Sequence, residues 1–187
     1  MEIVLIAVQS IDGFITRHDE AGAGFASPAD QAWFRTALDH CDAVVMGSRT
    51  YAHARTTIRE SLRHNVNRYV LTREPTKWAA DVVPGKLEFT SEEPSLFATR
   101  MRHAGCKRLG VLGGGQVNAA FLRANLVDAL WLTIEPRLFG HGVALCPIRL
   151  DLEWELLEQR LLSPSVILLT YRRASGGTRP NLMSTSR

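Results

Sequence analysis

The stretch "SPADQAWFRTALDHCDAVVMGSRTY", residues 27–51, contains a predicted helix that leads directly into a predicted strand. Ser27 is a good N-cap, and Pro28 suits the first helical position, where its missing N–H costs nothing. Helical spacing from Asp30 leads to five further residues of one stripe: Trp33, Phe34, Ala37, Leu38 and Cys41. The Asp30 carboxylate therefore shares a face with apolar residues, which predicts that it points inward or into a cavity.

Two interpretations of Asp30 stay open on the residues alone. In the first, Ser27 and Asp30 form a capping box, in which the third helical residue reaches back to the cap, and an acid in the first turn also suits the helix dipole. In the second, an acid at the mouth of an apolar cleft meets a polar, protonatable edge of a ligand, and burial raises its pKa. One carboxylate oxygen cannot serve both roles at the same time.

Short apolar runs alternate with helical patterns along most of the chain. The predicted strands are 3–8, 42–46, 68–71, 86–89, 108–112 and 129–134, and the predicted helices are 28–40, 51–62, 95–104 and 117–124. This alternation is typical of an α/β fold whose largely parallel sheet is covered by crossover helices. The later stretch "LEWELLEQRLLSPSVILLTYRR", residues 152–173, predicts a C-terminal antiparallel hairpin that completes the edge of the sheet.

Composition predicts one domain that needs neither a metal nor disulfides. The chain has 187 residues, of which 45% are hydrophobic, enough for one sizeable core over residues 1–173. Residues 174–187 are small and polar, which predicts a flexible tail.

Several classes of protein are disfavoured by the same composition. No apolar run reaches the roughly 18 residues of a membrane span, and the three cysteines form no disulfide pattern, so we expect a cytoplasmic protein without a membrane partner. The six histidines show no metal-ligand spacing, which predicts no metal site. The net charge is +3, but the arginines are scattered, which favours a small anionic ligand over a nucleic acid.

Two predicted strands end in glycine and lead into a helix. In "DAVVMGSRT", Gly47 ends the strand and residues 48–50 open the helix, whereas in "RLGVLGGGQVNAAFL" residues 113–115 lie between strand and helix. Helix N-termini with little side-chain bulk can receive phosphate oxygens, and two of them in one sheet suggest a dinucleotide, although each could be only a structural turn. Neither stretch is a Rossmann fingerprint or a Walker A loop. After another strand, "YVLTRE" adds Thr72 and Arg73, where the arginine could bind a 2′-phosphate.

Six stretches occur in an order that resembles one enzyme superfamily. They are "LIAVQSIDGFI", "PADQAWF", "VVMGSRTY", "YVLTR", "VLGGGQVNAAFL" and "LWLTIEP", and they span roughly residues 3–142. Together they resemble the dihydrofolate reductase superfamily, which includes the reductase domain of the bifunctional riboflavin-biosynthesis deaminase-reductase. The resemblance implies a three-layer dihydrofolate-reductase-like fold and an NADPH-dependent reductase.

The resemblance also implies a role for particular residues. It places Asp30 as the carboxylate that helps deliver a proton to the substrate ring, Thr133 as its hydrogen-bond partner and Phe34 as the wall over that ring. Val8 and Ile15 would flank the nicotinamide, with Val8 also beside the substrate. The remaining cofactor contacts would come from the three strand ends: Gly47, Ser48, Arg49 and Thr50 at phosphates, Thr72 and Arg73 at the 2′-phosphate, and Gly113, Gly114, Gly115, Gln116 and Val117 at the pyrophosphate.

The substrate is less well defined, because the sequence departs from both branches of the superfamily. Folate enzymes carry an arginine just before the third strand, where this chain has Val66, although Arg63 and Arg68 are close. Riboflavin-pathway reductases carry a D-x-P-x-L-x-x-R run that "AHARTTIRESLRH" lacks, and the zinc motifs of the deaminase are missing too.

We therefore expect an NADPH-dependent reductase of a C=N bond in a small pteridine-like or ribosylaminopyrimidine-like heterocycle. The alternatives are a true dihydrofolate reductase and a nucleotide-binding protein without catalysis. The resemblance further implies a homodimer, formed through the C-terminal strands.

Overall fold

The computed structural model describes residues 1–62 and 66–174. The strands are β1 (Glu2–Ser10), β2 (Ala43–Gly47), β3 (Asn67–Leu71), β4 (Leu87–Thr90), β5 (Arg108–Val111), β6 (Ala129–Glu135), β7 (Trp154–Ser163) and β8 (Val166–Arg173). The α-helices are α1 (Pro28–Asp39), α2 (Ser48–Glu60), α3 (Pro94–His103) and α4 (Gly115–Arg123). The predicted tail, residues 174–187, lies outside the described residues except for Ala174.

All eight strands form one sheet in the order β4-β3-β2-β5-β1-β6-β8-β7. Strands β1 to β6 pair in parallel, whereas β8 runs antiparallel to both β6 and β7. The predicted α/β fold, with a mostly parallel sheet and a C-terminal antiparallel hairpin, is therefore confirmed. The second strand of the hairpin lies inside the sheet, and the first strand forms its outer edge.

Helices cover the two faces of the sheet in pairs. Buried residues of α1 and α2, such as Ala37 and Ile58, pack on one face with Val4 and Val44. Buried residues of α3 and α4 pack on the opposite face with alternate residues of the same strands: Phe97, Ala98, Met101, Phe121 and Leu122. The result is the three-layer arrangement that the sequence predicts, with each central strand buried on both faces.

Two local features differ from the predicted elements. Helix α2 begins at Ser48, three residues before the predicted start, because Gly47 takes the extended conformation of an N-cap. A 3-10 helix over Pro75–Asp81 follows β3 and is not predicted. Its last residue, Asp81, is buried and accepts hydrogen bonds from Arg55 and Arg59 of α2, which ties this short helix to the α2 face of the sheet.

The helices that follow the central strands lie on opposite faces of the sheet. Strand β5 lies between β2 and β1, and α4, which follows β5, lies on the opposite face from α1 and α2, which follow β1 and β2. Such a reversal opens a crevice at the carboxyl ends of the strands, which is where ligands bind in open α/β sheets.

Candidate active site

The three strand ends with predicted anion-binding residues lie side by side. Strand order places β2 between β3 and β5, and Gly47 at the end of β2 pairs with Leu71 at the end of β3. On the other side, the Gly47 N–H donates a hydrogen bond of 2.8 Å to the carbonyl oxygen of Gly113. Ser48 therefore lies between Thr72 and the Gly113 turn, and the structure brings the three predicted groups together.

Neighbouring side chains lie close to the glycines at the starts of α2 and α4. A Cβ on Gly47 would lie 3.1 Å from Val117 Cγ2, and one on Gly114 would lie 3.4 Å from Thr50 Oγ1. Gly113 has a φ of +84°, which favours glycine. The glycines thus pack the start of α2 against the start of α4.

Helices α2 and α4 both begin without a side-chain cap. Their N-cap residues are Gly47 and Gly114, and neither end has a side-chain hydrogen bond to its first turn. The free N–H groups and the positive end of the helix dipole favour an anion at such a position. Two ends of this kind, side by side, fit the two phosphates of a dinucleotide.

Two arginines near these helix ends are available to bind an anion. Arg49, in the first turn of α2, and Arg73, two residues after β3, are both exposed. Within residues 1–62 and 66–174, neither forms an ion pair. Their guanidinium groups can therefore bind a phosphate without first leaving a carboxylate. Gln116, in the first turn of α4, is exposed on the same side of the sheet.

Two loops border this anion-binding region. The loop after β6 crosses the start of α4, where a Cβ on Gly115 would lie 2.8 Å from the carbonyl oxygen of Ala144. The loop after β1 joins it, because the N–H of Ile15 donates to the carbonyl oxygen of Val143 over 2.8 Å. Ile15 is half-buried in this loop pairing.

The predicted acid lies on the other side of the crevice, buried between α1 and β6. Asp30 is 6% exposed, and Thr133 of β6, which is 1% exposed, forms a hydrogen bond with its carboxyl group. Val8 of β1 pairs with Thr133 across the sheet. Phe34 follows Asp30 one helical turn later, and both Val8 and Phe34 are half-buried.

Burial gives Asp30 an unusual protonation equilibrium. Loss of solvation raises its pKa to about 6, the negative charge of Glu135 raises it as well, and the Thr133 hydrogen bond opposes the shift. The acid can therefore carry a proton in weakly acidic solution and still release it close to neutrality.

The cap of α1 separates the two interpretations of Asp30. The Ser27 hydroxyl accepts a hydrogen bond from the Asp30 backbone N–H over 3.3 Å, which is one half of a capping box. The other half is made by a different residue, because the Ser27 N–H donates to Glu135 Oε1 over 2.8 Å. The carboxylate of Asp30 is therefore free of the capping role.

Glu135 is the residue of this site that sequence reasoning missed. It ends β6 and is 2% exposed. It follows Thr133 by two residues, and residues two apart on a strand share a face, so the spacing could have placed both beside α1. No local pattern indicates that Glu135, rather than Asp30, accepts the cap hydrogen bond.

The fold and the site define a three-layer α/β domain with a candidate ligand site at the carboxyl ends of its strands. Residues 2–168 match the model of the RibD C-terminal domain family, and the chain belongs to this family. The protein YwjB of Bacillus subtilis (strain 168), described as uncharacterized, is 23% identical over 150 residues, which cover 76% of this chain and 80% of that relative.

Solved structures share the same fold at low sequence identity. A putative riboflavin biosynthesis protein from Shewanella sp. PV-4 is 20% identical with a TM-score of 0.71, and the match covers 93% of this chain and 99% of that one. A diaminohydroxyphosphoribosylaminopyrimidine deaminase/5-amino-6-(5-phosphoribosylamino)uracil reductase from Thermotoga maritima is 15% identical with a TM-score of 0.74. That match covers 92% of this chain but 56% of the Thermotoga chain.

No helix in the described part of the chain is both long and apolar enough to cross a membrane.

Proposed function

We propose that this protein is an NADPH-dependent reductase that transfers a hydride to a C=N bond of a pteridine-like or ribosylaminopyrimidine-like heterocycle. The observation that carries the proposal is a buried acid with a raised pKa at the same sheet edge as two adjoining, uncapped helix N-termini. The acid would provide a proton for a ring nitrogen, and the two helix N-termini would provide a binding site for a dinucleotide.

The residues at the strand ends fit this cofactor. The first turns of α2 and α4 would hold the phosphates through backbone N–H groups, with the hydroxyls of Ser48 and Thr50 beside them. Thr72 and Arg73 would hold the 2′-phosphate, because the β3 end flanks α2 on the side away from β5. When bound, NADPH supplies the hydride, and the protein contributes binding, alignment and a proton.

The order of the strands in the sheet would align the bound cofactor with the substrate. The dinucleotide residues follow β3, β2 and β5, whereas the acid lies between α1 and β6, with β1 in between. Val8 of β1 and Ile15 of the following loop would therefore contact both ligands where they meet. Such positioning of two reactants can account for a large part of the rate of a reductase.

Asp30 would act on the substrate side of this junction. Its protonated carboxyl would donate to the ring nitrogen of the C=N bond, while Thr133 fixes its orientation from β6. Phe34 would pack against the face of the heterocycle. Shielding by α1 and β6 keeps water from solvating the carboxylate, which maintains the raised pKa.

The environment of Val66 disfavours folate as the substrate. Val66 is buried where a folate enzyme carries an arginine that holds the glutamate tail. Arg68 is also buried, and it donates to the carbonyl oxygen of Val66 and to the hydroxyl of Ser61, so its guanidinium points into the protein. Arg63 lies outside the described residues. We therefore favour a heterocycle without a carboxylate tail.

Fluorescence titration tests the proposal. NADPH should quench the four tryptophans and bind in the micromolar range or tighter, and NADH should bind more weakly. A screen of pteridines, dihydrofolate and ribosylaminopyrimidines should then show oxidation of NADPH with at least one heterocycle. Failure of both nucleotides to bind would remove the reductase proposal. Tight binding of NADPH without oxidation by any heterocycle would instead support the non-catalytic alternative.

We also propose that the protein is a homodimer in which β7 pairs with β7 of a second copy. Strand β7 is the outer strand of the sheet, and Leu157 and Leu161 on it are 54% and 65% exposed. Antiparallel pairing centred on Gln159 would place each Leu157 opposite Leu161 of the other copy and each Glu158 opposite Arg160. This register is self-complementary in both apolar contact and charge.

Replacing Leu161 by Lys should weaken the dimer by about 100-fold or more, because both Leu157–Leu161 contacts of the dimer are lost and each introduced charge would face the apolar Leu157 of the other copy. Size-exclusion chromatography with light scattering should show a shift from dimer to monomer mass. Leu96→Lys is the matched control, since Leu96 on α3 is also 65% exposed. A dimer mass for both variants, or a monomer mass for the unmodified protein, would rule out this interface.

A further inference from the structure

A second buried carboxylate lies beside Asp30 and takes no part in the chemical steps of the proposed reaction. Glu135 is 2% exposed and Asp30 is 6% exposed, and the charge of Glu135 acts on Asp30. Burying two acids so close together is costly unless each has hydrogen-bond partners or keeps a proton. The contacts of Glu135 show what the second acid does.

Glu135 joins the end of β6 to the start of α1. Its Oε1 atom accepts the hydrogen bond from the Ser27 N–H over 2.8 Å, which is the bond that the third residue of a helix usually takes in a capping box. That third residue is Asp30, whose backbone N–H already donates to the Ser27 hydroxyl. Without Glu135, the unpaired Ser27 N–H would lie one turn from the Asp30 carboxylate and would attract it.

We propose that Glu135 is the positioning residue of this site: it takes the α1 cap bond that Asp30 would otherwise take and leaves the Asp30 carboxyl group free to face the substrate. This inference rests on the proposed reductase function. Glu135 acts only through Asp30 and Ser27 and does not itself contact the reacting atoms.

The other groups around Asp30 leave Glu135 as its main charged neighbour. Thr133 contributes a hydroxyl from β6. From β7, the Arg160 guanidinium lies over the Trp33 ring at 5.1 Å from its centroid, one turn further along α1. From β1, the Ser10 hydroxyl donates to Asp12 in the following loop. Among the described residues, Glu135 is the charged group that raises the pKa of Asp30.

Two substitutions separate the cap bond from the charge. Glu135→Gln keeps an oxygen that can accept from the Ser27 N–H but removes the charge, whereas Glu135→Ala removes both. Carboxyl ¹³C NMR titration, with Asp30→Asn to assign the signal, should show an Asp30 midpoint of about 6 in the unmodified protein. The midpoint should be lower in Glu135→Gln, which lacks the charge, and lower still in Glu135→Ala because the carboxylate then accepts the Ser27 N–H.

The same variants should differ in their activity profiles. Glu135→Gln should lose a few-fold in kcat/KM near pH 7, where a smaller fraction of Asp30 holds a proton, and recover to nearly the unmodified value near pH 5. Glu135→Ala should lose about 100-fold at both pH values, because the acid is misplaced. The affinity for NADPH should stay within about twofold in both variants. Glu60→Gln, at the exposed end of α2, is the matched control.

A purely structural role for Glu135 would give a different pattern. The melting temperature of Glu135→Ala would fall, but the Asp30 midpoint and the pH profile would match those of the unmodified protein, and this result would overturn the inference. Absence of any heterocycle reduction in the unmodified protein would remove the proposed function. The NMR midpoints would still decide the role of Glu135, because that measurement needs no substrate.

Discussion

Replacing Asp30 by Asn is expected to lower kcat about 10²–10⁴-fold near pH 7, the range typical of a lost general acid. The amide has nearly the same shape as the carboxyl group, so the packing of α1 against β6 should survive. It cannot release a proton to the substrate ring. Because Asp30 lies on the substrate side of the crevice, across β1 and β5 from the α2 helix end, the affinity for NADPH should hardly change.

The pH profile gives this prediction a second readout. Proton donation requires the acid form, and the pKa of Asp30 is about 6, so kcat/KM of the unmodified protein should fall as the pH rises through about 6. The Asn variant should lack this descent. Asp39→Asn is the control, because Asp39 is an exposed acid at the other end of α1. Equal activity of Asp30→Asn and the unmodified protein would exclude a catalytic role for Asp30.

Replacing Arg73 by Ala is expected to weaken NADPH binding roughly 10–100-fold and to change NADH binding by less than about twofold. The guanidinium would make charge-assisted hydrogen bonds to the 2′-phosphate, a group that NADH lacks. Arg73 is exposed and lies two residues after β3, so its removal should leave the core intact. Tryptophan fluorescence titration with each nucleotide measures both affinities.

The comparison between nucleotides is what identifies the role of Arg73. Arg102→Ala is the matched control, because Arg102 on α3 is an equally exposed arginine away from the three strand ends. This control should bind both nucleotides as the unmodified protein does. Similar losses for NADPH and NADH in Arg73→Ala would show that the arginine contributes only general attraction and does not recognise the 2′-phosphate.

The parts of the fold that local patterns encode were predictable. The stripe that begins at Asp30 predicted which side of α1 is buried, and the helices predicted after the glycine-ended strands start within three residues of the observed α2 and α4. The position of β8 between β6 and β7 was not predicted, although Glu155, Glu158 and Arg160 give β7 the charge typical of an edge strand, whereas Val166 and Leu168 of β8 are buried. The order of β7 and β8 in the sheet depends on which of them packs better against β6, and that is a long-range contact.

In the site, too, the features set by residues close in sequence were predictable, whereas the features set by distant residues were not. Asp30 and Ser27 are three residues apart, and their pattern correctly predicted the Ser27 cap and the burial of Asp30, but the capping box that it also suggested is not completed by Asp30. Glu135 is separated from Ser27 by 108 residues, so no local pattern could show that it takes the cap bond. Sequence reasoning could place Glu135 on the Thr133 face of β6, but only the assembled sheet brings it to α1.

The central position of β1 in the sheet has a consequence for the order in which the molecule folds. Glu2 pairs with Arg108, 106 residues later, and the whole of β1 needs both β5 and β6 for its two edges. During synthesis, the first strand must therefore wait with both edges unpaired until most of the chain has emerged from the ribosome. Contacts between residues so far apart in sequence slow folding, because the entropy of loop closure is lost before the strand pairing stabilises the chain. The crevice lies along this late-formed centre, so it should be among the last parts of the molecule to acquire its native form.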